Sequence, residues 1–489
     1  MRSFRSTTLV LLLAFTCSCF LVTCRSDKGV PDFNGYPDKI GKLIYAKCAT
    51  AGCHTDADKE AAGGLSLESW ESMFKGGHGG AAVIPYRTDY STLFSYTNTF
   101  PELGSTLTPT MPYGGAPLTR AEVMMLKEWI DAGAPSRENF IKFSDNPNRR
   151  KYYVANQGCD VVTVFDQASG LPMRYIDVGQ YPGIESPHMI RVSPDKQYWY
   201  VISLTGLYLE KYRCSDDSYA GRAYIGPGYW NAFTISDNSA YAYCTDLGSD
   251  HAKMSTVTLS TLSVDSIRPF FYPHGIALTP GDNDTLYITQ QFFSSKLHKV
   301  PIIDPSASSE IELFTGAPPA LPLGPHEIVF SPDGTKYFVT CQSSNDVRVF
   351  TAHTDQLITI IPVGASPTEM AFSPSTHRLF VSCTEDTTTF SGKRGSVAII
   401  DYNSYSVDYL YTGHQPHGIA VDEAKRQVIV INRNNSTDGP APHHTSACGG
   451  RNGYVTFIDL NTMDMVKGYN GVTVKKIEIS VDPYSVSVR

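Results

Sequence analysis

One unit keeps returning through the last two thirds of this 489-residue chain, and no other feature narrows the fold so far. It is a proline followed by a polar residue, usually histidine, then a short apolar run, a Ser-Pro-Asp-type turn and a second apolar run. The copies begin at Pro187-His188, Pro273-His274, Pro325-His326, Pro367-Thr368 and Pro416-His417, with a degenerate copy at Trp230-Asn231. A strand-turn-strand unit this small cannot bury its own apolar face, so it must stack against its neighbours. Repeats of about 40 to 50 residues with an all-β pattern imply a propeller. The two ends fit ring closure. The chain finishes on a lone first strand, Asp482-Pro483-Tyr484-Ser-Val-Ser-Val, and the array opens at Arg150 on a lone second strand, Lys-Tyr-Tyr-Val-Ala-Asn. Joined, they make one composite unit and bring the expected number of blades to seven, over residues 150–489.

Tyr152-Tyr-Val-Ala-Asn and its counterpart Tyr337-Phe-Val-Thr-Cys resemble the YVTN-type propeller repeat. That resemblance covers the whole array and implies a fold but no activity, because propellers host many functions. His188, His274, His326 and His417 all stand at the start of the first strand, the one that lines a propeller's channel. Asn231, Thr368 and Tyr484 fill that place in the other blades. Two readings follow. Four imidazoles around one channel mouth could hold a second metal ion or serve a small anionic substrate. Alternatively, Pro-His-Gly is a turn signature in which each histidine bonds to the next blade.

The first third of the chain reads differently. Cys48-Ala-Thr-Ala-Gly-Cys53-His54 sets two thiols and an imidazole together in what reads as the first helix of the mature protein. Covalent haem attachment needs these groups, one thiol for each vinyl and a histidine for the iron. The common spacing is Cys-x-x-Cys-His, and here four residues part the thiols. Zinc would want a second ligand pair downstream, which the next sixty residues lack. A Cys48–Cys53 disulfide would leave His54 unexplained. Thr108-Pro-Thr-Met111-Pro112 offers a thioether on a proline-braced loop, suited to the second axial position of an electron-transfer haem. Met73, Met124, Met125 and His78 are weaker candidates. Beyond the loop, Thr119 and Glu122 form a capping box. Val123, Leu126, Trp129 and Ile130 share one helical face, and Gly133 ends the helix. Residues 36–136 thus resemble a small all-α class I cytochrome c. The resemblance implies one covalent haem c on Cys48 and Cys53, with His54 as proximal and Met111 as distal iron ligand.

Residues 1–24 carry Arg2 and Arg5 before a short apolar run, the pattern of an export signal. Leu21-Val-Thr-Cys24 resembles a lipoprotein processing site with Cys24 lipidated, Cys19 being the alternative. Residues 25–35 read as a tether and 137–149 as a linker. Cys159, Cys214, Cys244, Cys341, Cys383 and Cys448 show no disulfide spacing and read as small core residues. Pro442-His443-His444 with Cys448 is a minor metal-binding pattern in what reads as a surface loop. A net charge of −8 gives no basic surplus for nucleic acid. The chain is therefore expected to be multidomain: an exported, lipid-anchored, periplasmic or surface electron-transfer protein, with a redox partner protein and a propeller used for docking or a second site. One alternative is a propeller-based oxidoreductase. The Pro187-His188 strand looks somewhat like the haem-ligating strand of cytochrome-plus-propeller nitrite reductases, whose ring has eight blades. A cell-surface binding scaffold is the other alternative.

Overall fold

The computed structural model describes residues 32–489, apart from 181, 249–251, 270–271, 444–445, 447 and 469–470. The export signal and Cys24 lie outside the described residues.

The N-terminal part is helical. Its helices are α1 (Asp38–Lys47), α2 (Trp70–Met73), α3 (Thr92–Thr97) and α4 (Arg120–Asp131). Thr119 and Glu122 form the expected reciprocal cap on α4, and Glu122 also accepts from Lys47 at 2.9 Å, tying the end of α1 to the start of α4. The apolar faces of these helices close on Tyr36, Trp70, Met73 and Phe94. The two buried indoles are satisfied by backbone: Trp70 Nε1 donates to Ala134 O and Trp129 Nε1 to Pro135 O, each at 2.9 Å. These bonds fix the chain where it leaves α4 through Gly133, which sits at a φ of +98°.

Lys151 to the C-terminus forms seven antiparallel sheets, the seven-bladed propeller expected from the repeats. Pro483–Val488 pairs with Lys151–Asn156 as the innermost strand of the composite blade. It also neighbours Pro416–Asp422 on one side and Pro187–Val192 on the other, so the last strand of the chain closes the ring. Six of the first strands are entered the same way. A residue at positive φ (Ser186, Tyr272, Gly324, Ser366, Gln415 or Asp482) precedes a proline, which has no N–H to lose at a strand start. A two-residue irregularity follows the proline in the blades of His274, His326, Thr368 and His417, and it contains the channel residue.

The glycines after two of the histidines explain the Pro-His-Gly signature. A Cβ on Gly275 would stand 2.4 Å from His326 O, and one on Gly418 would stand 2.6 Å from Tyr484 O. Those same carbonyls accept from His274 Nδ1 and His417 Nδ1, both at 3.1 Å. Glycine lets the next blade's backbone approach closely enough for the imidazole to bond to it.

The two parts pack against each other. Arg87 Nη1 donates to Asp177 Oδ1 at 2.8 Å and to Tyr175 O at 3.0 Å. Tyr90 stacks on Tyr175 with ring centroids 3.8 Å apart, and Ile84 joins Val161 and Tyr175 in a small apolar cluster. Residues 137–149 are anchored as well, by Lys142 to Glu71 and Arg149 to Asp166.

One cysteine expectation is corrected. Cys159, in the turn before Val161–Asp166, forms a disulfide with Cys448, which lies in the long connector between Gln427–Asn432 and Asn452–Asp459. Both cysteines are in loops rather than strands, and the bond joins two turns that lie close in space. Cys214, Cys244, Cys341 and Cys383 are free and buried, as expected.

Candidate functional site

The cleft of interest begins where α1 ends. The helix stops at Lys47, so the thiol pair does not sit within it as the sequence suggested. Cys48 is the C-cap residue, and Cys53 and His54 lie in the turns beyond. The four-residue spacer is the reason. Gly52 adopts a φ of +80°, and Cys53 N–H returns to Thr50 O. His54 N–H then donates to Cys48 O at 3.2 Å, so the extra residues fold outward and bring the histidine back to the first cysteine. Asp58 holds the loop by accepting from Gly52 N at 2.8 Å and from Thr55 Oγ1 at 2.7 Å.

His54 Nδ1 lies 3.0 Å from Leu65 O. A carbonyl only accepts, so Nδ1 carries the proton and Nε2 keeps its lone pair. This is the tautomer a metal-ligating histidine needs. Met111 is presented by a loop fastened to α3: Leu107 N–H donates to Ser95 O at 2.8 Å and Met111 N–H to Tyr96 O at 2.7 Å.

Cys48, Cys53, His54 and Met111 all line one cleft of about 750 Å³. His78 lines it too, with Nε2 3.2 Å from Glu60. The weaker methionine candidates do not line it. Met73 is fully buried in the helical core, and Met124 and Met125 belong to α4.

The donor set suits a porphyrin better than a bare ion. Cys48 and Cys53 are separate free thiols. Burial pushes the Cys48 thiol up to about 12, so it stays protonated at neutral pH, whereas zinc takes thiolates. Among the described residues, no group of three or more His, Cys, Asp or Glu is arranged to hold a metal ion. Two thiols, one correctly protonated imidazole and one thioether on the walls of a cleft this size are what a covalently attached haem would use.

Two residues of this cleft were missed as such. His443 and Glu478 line it from the propeller side. His443 had been noticed only as part of a metal-binding pattern, and the disulfide rules out Cys448 as its thiolate partner. Glu478 carries no sequence signal at all.

The channel histidines come together as the repeats implied. His188, His274, His326 and His417 form, with Tyr484, a closed circle of rings whose neighbouring centroids are 3.7–6.5 Å apart. Burial holds all four imidazoles well below their usual range, so they are neutral. The expectation of a second metal there finds no support in the geometry. His274 and His417 spend Nδ1 on the next blade, as the turn-signature reading requires, and no three donors of the ring converge on one point. Beside the ring lie two buried carboxyls. Glu327 faces Arg191 at 3.8 Å and Glu369 faces His417 at 3.7 Å. Burial raises both above the ordinary carboxylate range, against the pull of Arg191.

Residues 51–100 match the Planctomycete cytochrome C family, a span that contains Cys53 and His54. No curated protein sequence matches the chain significantly. Among solved structures, the hydrazine synthase of Kuenenia stuttgartiensis is similar at 15% identity and a TM-score of 0.50, covering 63% of this chain and 91% of that one. The periplasmic gluconolactonase PpgL of Pseudomonas aeruginosa is similar at 15% identity and a TM-score of 0.50, covering 69% of this chain and 98% of that one. At such identities the likeness is one of fold. The chain is a cytochrome c-like domain joined to a seven-bladed propeller.

Proposed function

We propose that this protein is an exported electron carrier. Cys48 and Cys53 would hold one haem c through thioether bonds, and His54 Nε2 and Met111 Sδ would ligate its iron. The observation that carries the proposal is the meeting of four side chains from two separate loops on one cleft, with His54 already in the ligating tautomer. When bound, the haem supplies a one-electron couple. The chain's own residues set its character. Leu65 O orients His54, and the bonds from Leu107 and Met111 to α3 hold the thioether loop. With His54 and Met111 both ligating, the iron would have no position left for a substrate, which favours electron transfer over catalysis at this centre.

The Cys159–Cys448 disulfide supports export, since disulfides persist in oxidising compartments. Lipidation at Cys24 would then anchor the protein to a membrane, in the periplasm or at the outer surface. The propeller serves as the docking face for a redox partner protein. A nitrite-reductase-like reading is not favoured, because the ring has seven blades and two of its four channel histidines, His274 and His417, spend Nδ1 on the backbone of the next blade.

The test is spectroscopic. Protein exported from a host that matures c-type haem should keep one haem per chain through denaturing electrophoresis and show the absorption band of methionine-ligated ferric haem. Met111→Ala should retain the haem and lose that band. A colourless full-length protein would refute the proposal, and so would a Met111→Ala variant with the band intact.

A further inference from the structure

The connector between Gln427–Asn432 and Asn452–Asp459 is the longest excursion in its blade, and it ends up on the wall of the cytochrome's cleft. Several bonds hold it there. Cys448 is joined to Cys159, Arg451 Nη2 donates to Gly439 O and Pro440 O at 3.0 Å each, and Ser446 Oγ donates to Asn452 Oδ1 at 2.8 Å. Within this connector His443 is held by a buried carboxylate. Its backbone N–H and its Nδ1 both engage Glu478 Oε2, at 2.9 and 3.1 Å. The other oxygen, Glu478 Oε1, accepts from Asn452 Nδ2 at 3.0 Å. The glutamate side chain is 4% exposed, while that of His443 is 75% exposed. The imidazole is thus oriented by a fixed partner and projects from the propeller into the cleft. Among the described residues its Nε2 has no hydrogen-bond partner.

We infer that His443 is a haem-binding residue supplied by the propeller, one that in its doubly protonated form gives Nδ1–H to Glu478 and donates Nε2–H to a propionate of the porphyrin. The inference rests on the haem reading given above and follows from what a porphyrin offers a nitrogen. Its edge is hydrocarbon except for two propionate carboxylates, and its iron has two axial positions. His54 and Met111 take both axial positions, so a propionate is what remains for a further imidazole in the same cleft. The bond makes the propeller part of the redox centre. A donor beside the propionate draws off negative charge near the iron and so favours the reduced state, and charge-assisted bonds of this kind are the stronger class.

The experiment uses the full-length holoprotein and three forms of it: the parent, His443→Phe and His443→Gln. Haem content and the methionine-ligation band are read first, then the reduction potential by titration. We expect all three to carry one haem with the band unchanged. The potential of His443→Phe should fall below that of the parent, and His443→Gln, which keeps a donor, should recover much of the difference. A potential unchanged in His443→Phe overturns the inference while leaving the electron-carrier reading intact. Loss or displacement of the methionine band in His443→Phe also overturns it, because the histidine would then act on the iron. A parent protein without haem removes the electron-carrier reading and this inference with it.

Discussion

Breaking the Cys159–Cys448 disulfide should weaken the propeller and loosen the haem cleft together. The bond joins residues 289 positions apart, across almost the whole propeller sequence. In the chain-entropy model a loop of that length restricts the unfolded chain by about 5.7 kcal/mol, and measured losses on removing native disulfides run to about 5 kcal/mol. Ring closure by Pro483–Val488 already ties the two ends in the folded state, but it imposes nothing on the unfolded chain, so most of the entropic effect should survive. We expect Cys159→Ser/Cys448→Ser to lose about 3–5 kcal/mol. With a urea slope near 3 kcal/mol/M the midpoint would fall by about 1 M or more. Trp199 and Trp230, both fully buried in the propeller, give the fluorescence signal for the unfolding curve. The same variant should change the haem potential in the direction of His443→Phe, because the connector that carries His443 loses its covalent anchor. Identical urea midpoints for parent and double variant would refute the reasoning about the unfolded chain. A lowered midpoint with an unchanged potential would refute the coupling between the anchor and the cleft.

Three further outcomes follow from the propeller. Lys151 and Asp217 form a fully buried pair at 2.8 Å. Lys151→Met, which strands the carboxylate, should cost about 3–5 kcal/mol, and the double variant Lys151→Met/Asp217→Leu should recover most of it in urea unfolding. Gly418→Ala pushes a methyl to 2.6 Å from Tyr484 O at the blade junction that closes the ring. It should destabilise by about 1–3 kcal/mol, whereas alanine at Gly316, which has nothing within 4 Å but sits at positive φ, should show only the smaller backbone penalty. Glu327 and Glu369, which face Arg191 and His417, hold their protons to higher pH in the fold than in the unfolded chain. Their contribution is full below the ordinary carboxylate pKa of about 4.3 and is lost as pH rises from there through their raised folded range. Glu369→Gln should flatten that decline, and parallel thermal melts from pH 5 to pH 9 would show parent and variant diverging or not.

What could be read in the sequence depended on whether a signal was periodic, chemical or neither. Blade count and closure were legible because each copy repeats the same entry and turn, and because the two half-units at the ends complement each other. The cleft residues were legible for a different reason: few chemistries call for two thiols, an adjacent histidine and a proline-braced methionine in that order. The channel histidines show where periodicity stops being informative. Their position was predictable, but their role turns on Nδ1 meeting a carbonyl of the next blade across a glycine, as at His274 and Gly275. A repeat selected for blade packing and one selected for ligand binding would look alike on the page.

The propeller's contribution to the cleft had neither kind of signal. Cys159 and Cys448 lie in loops of no regular spacing, and Glu478 is one charged residue in an otherwise ordinary strand, Lys476–Val481. Their importance exists only because the cytochrome packs on that edge of the ring, through Arg87 to Asp177 and Tyr90 to Tyr175. That packing also argues against treating the propeller as a distant docking module tethered by a flexible linker. A linker that is ion-paired at both Lys142 and Arg149, together with a cleft whose wall includes His443 and Glu478, makes the cytochrome's cleft incomplete without the ring. An isolated cytochrome fragment ending at residue 136 should therefore differ from the full chain in potential even if it folds and binds haem.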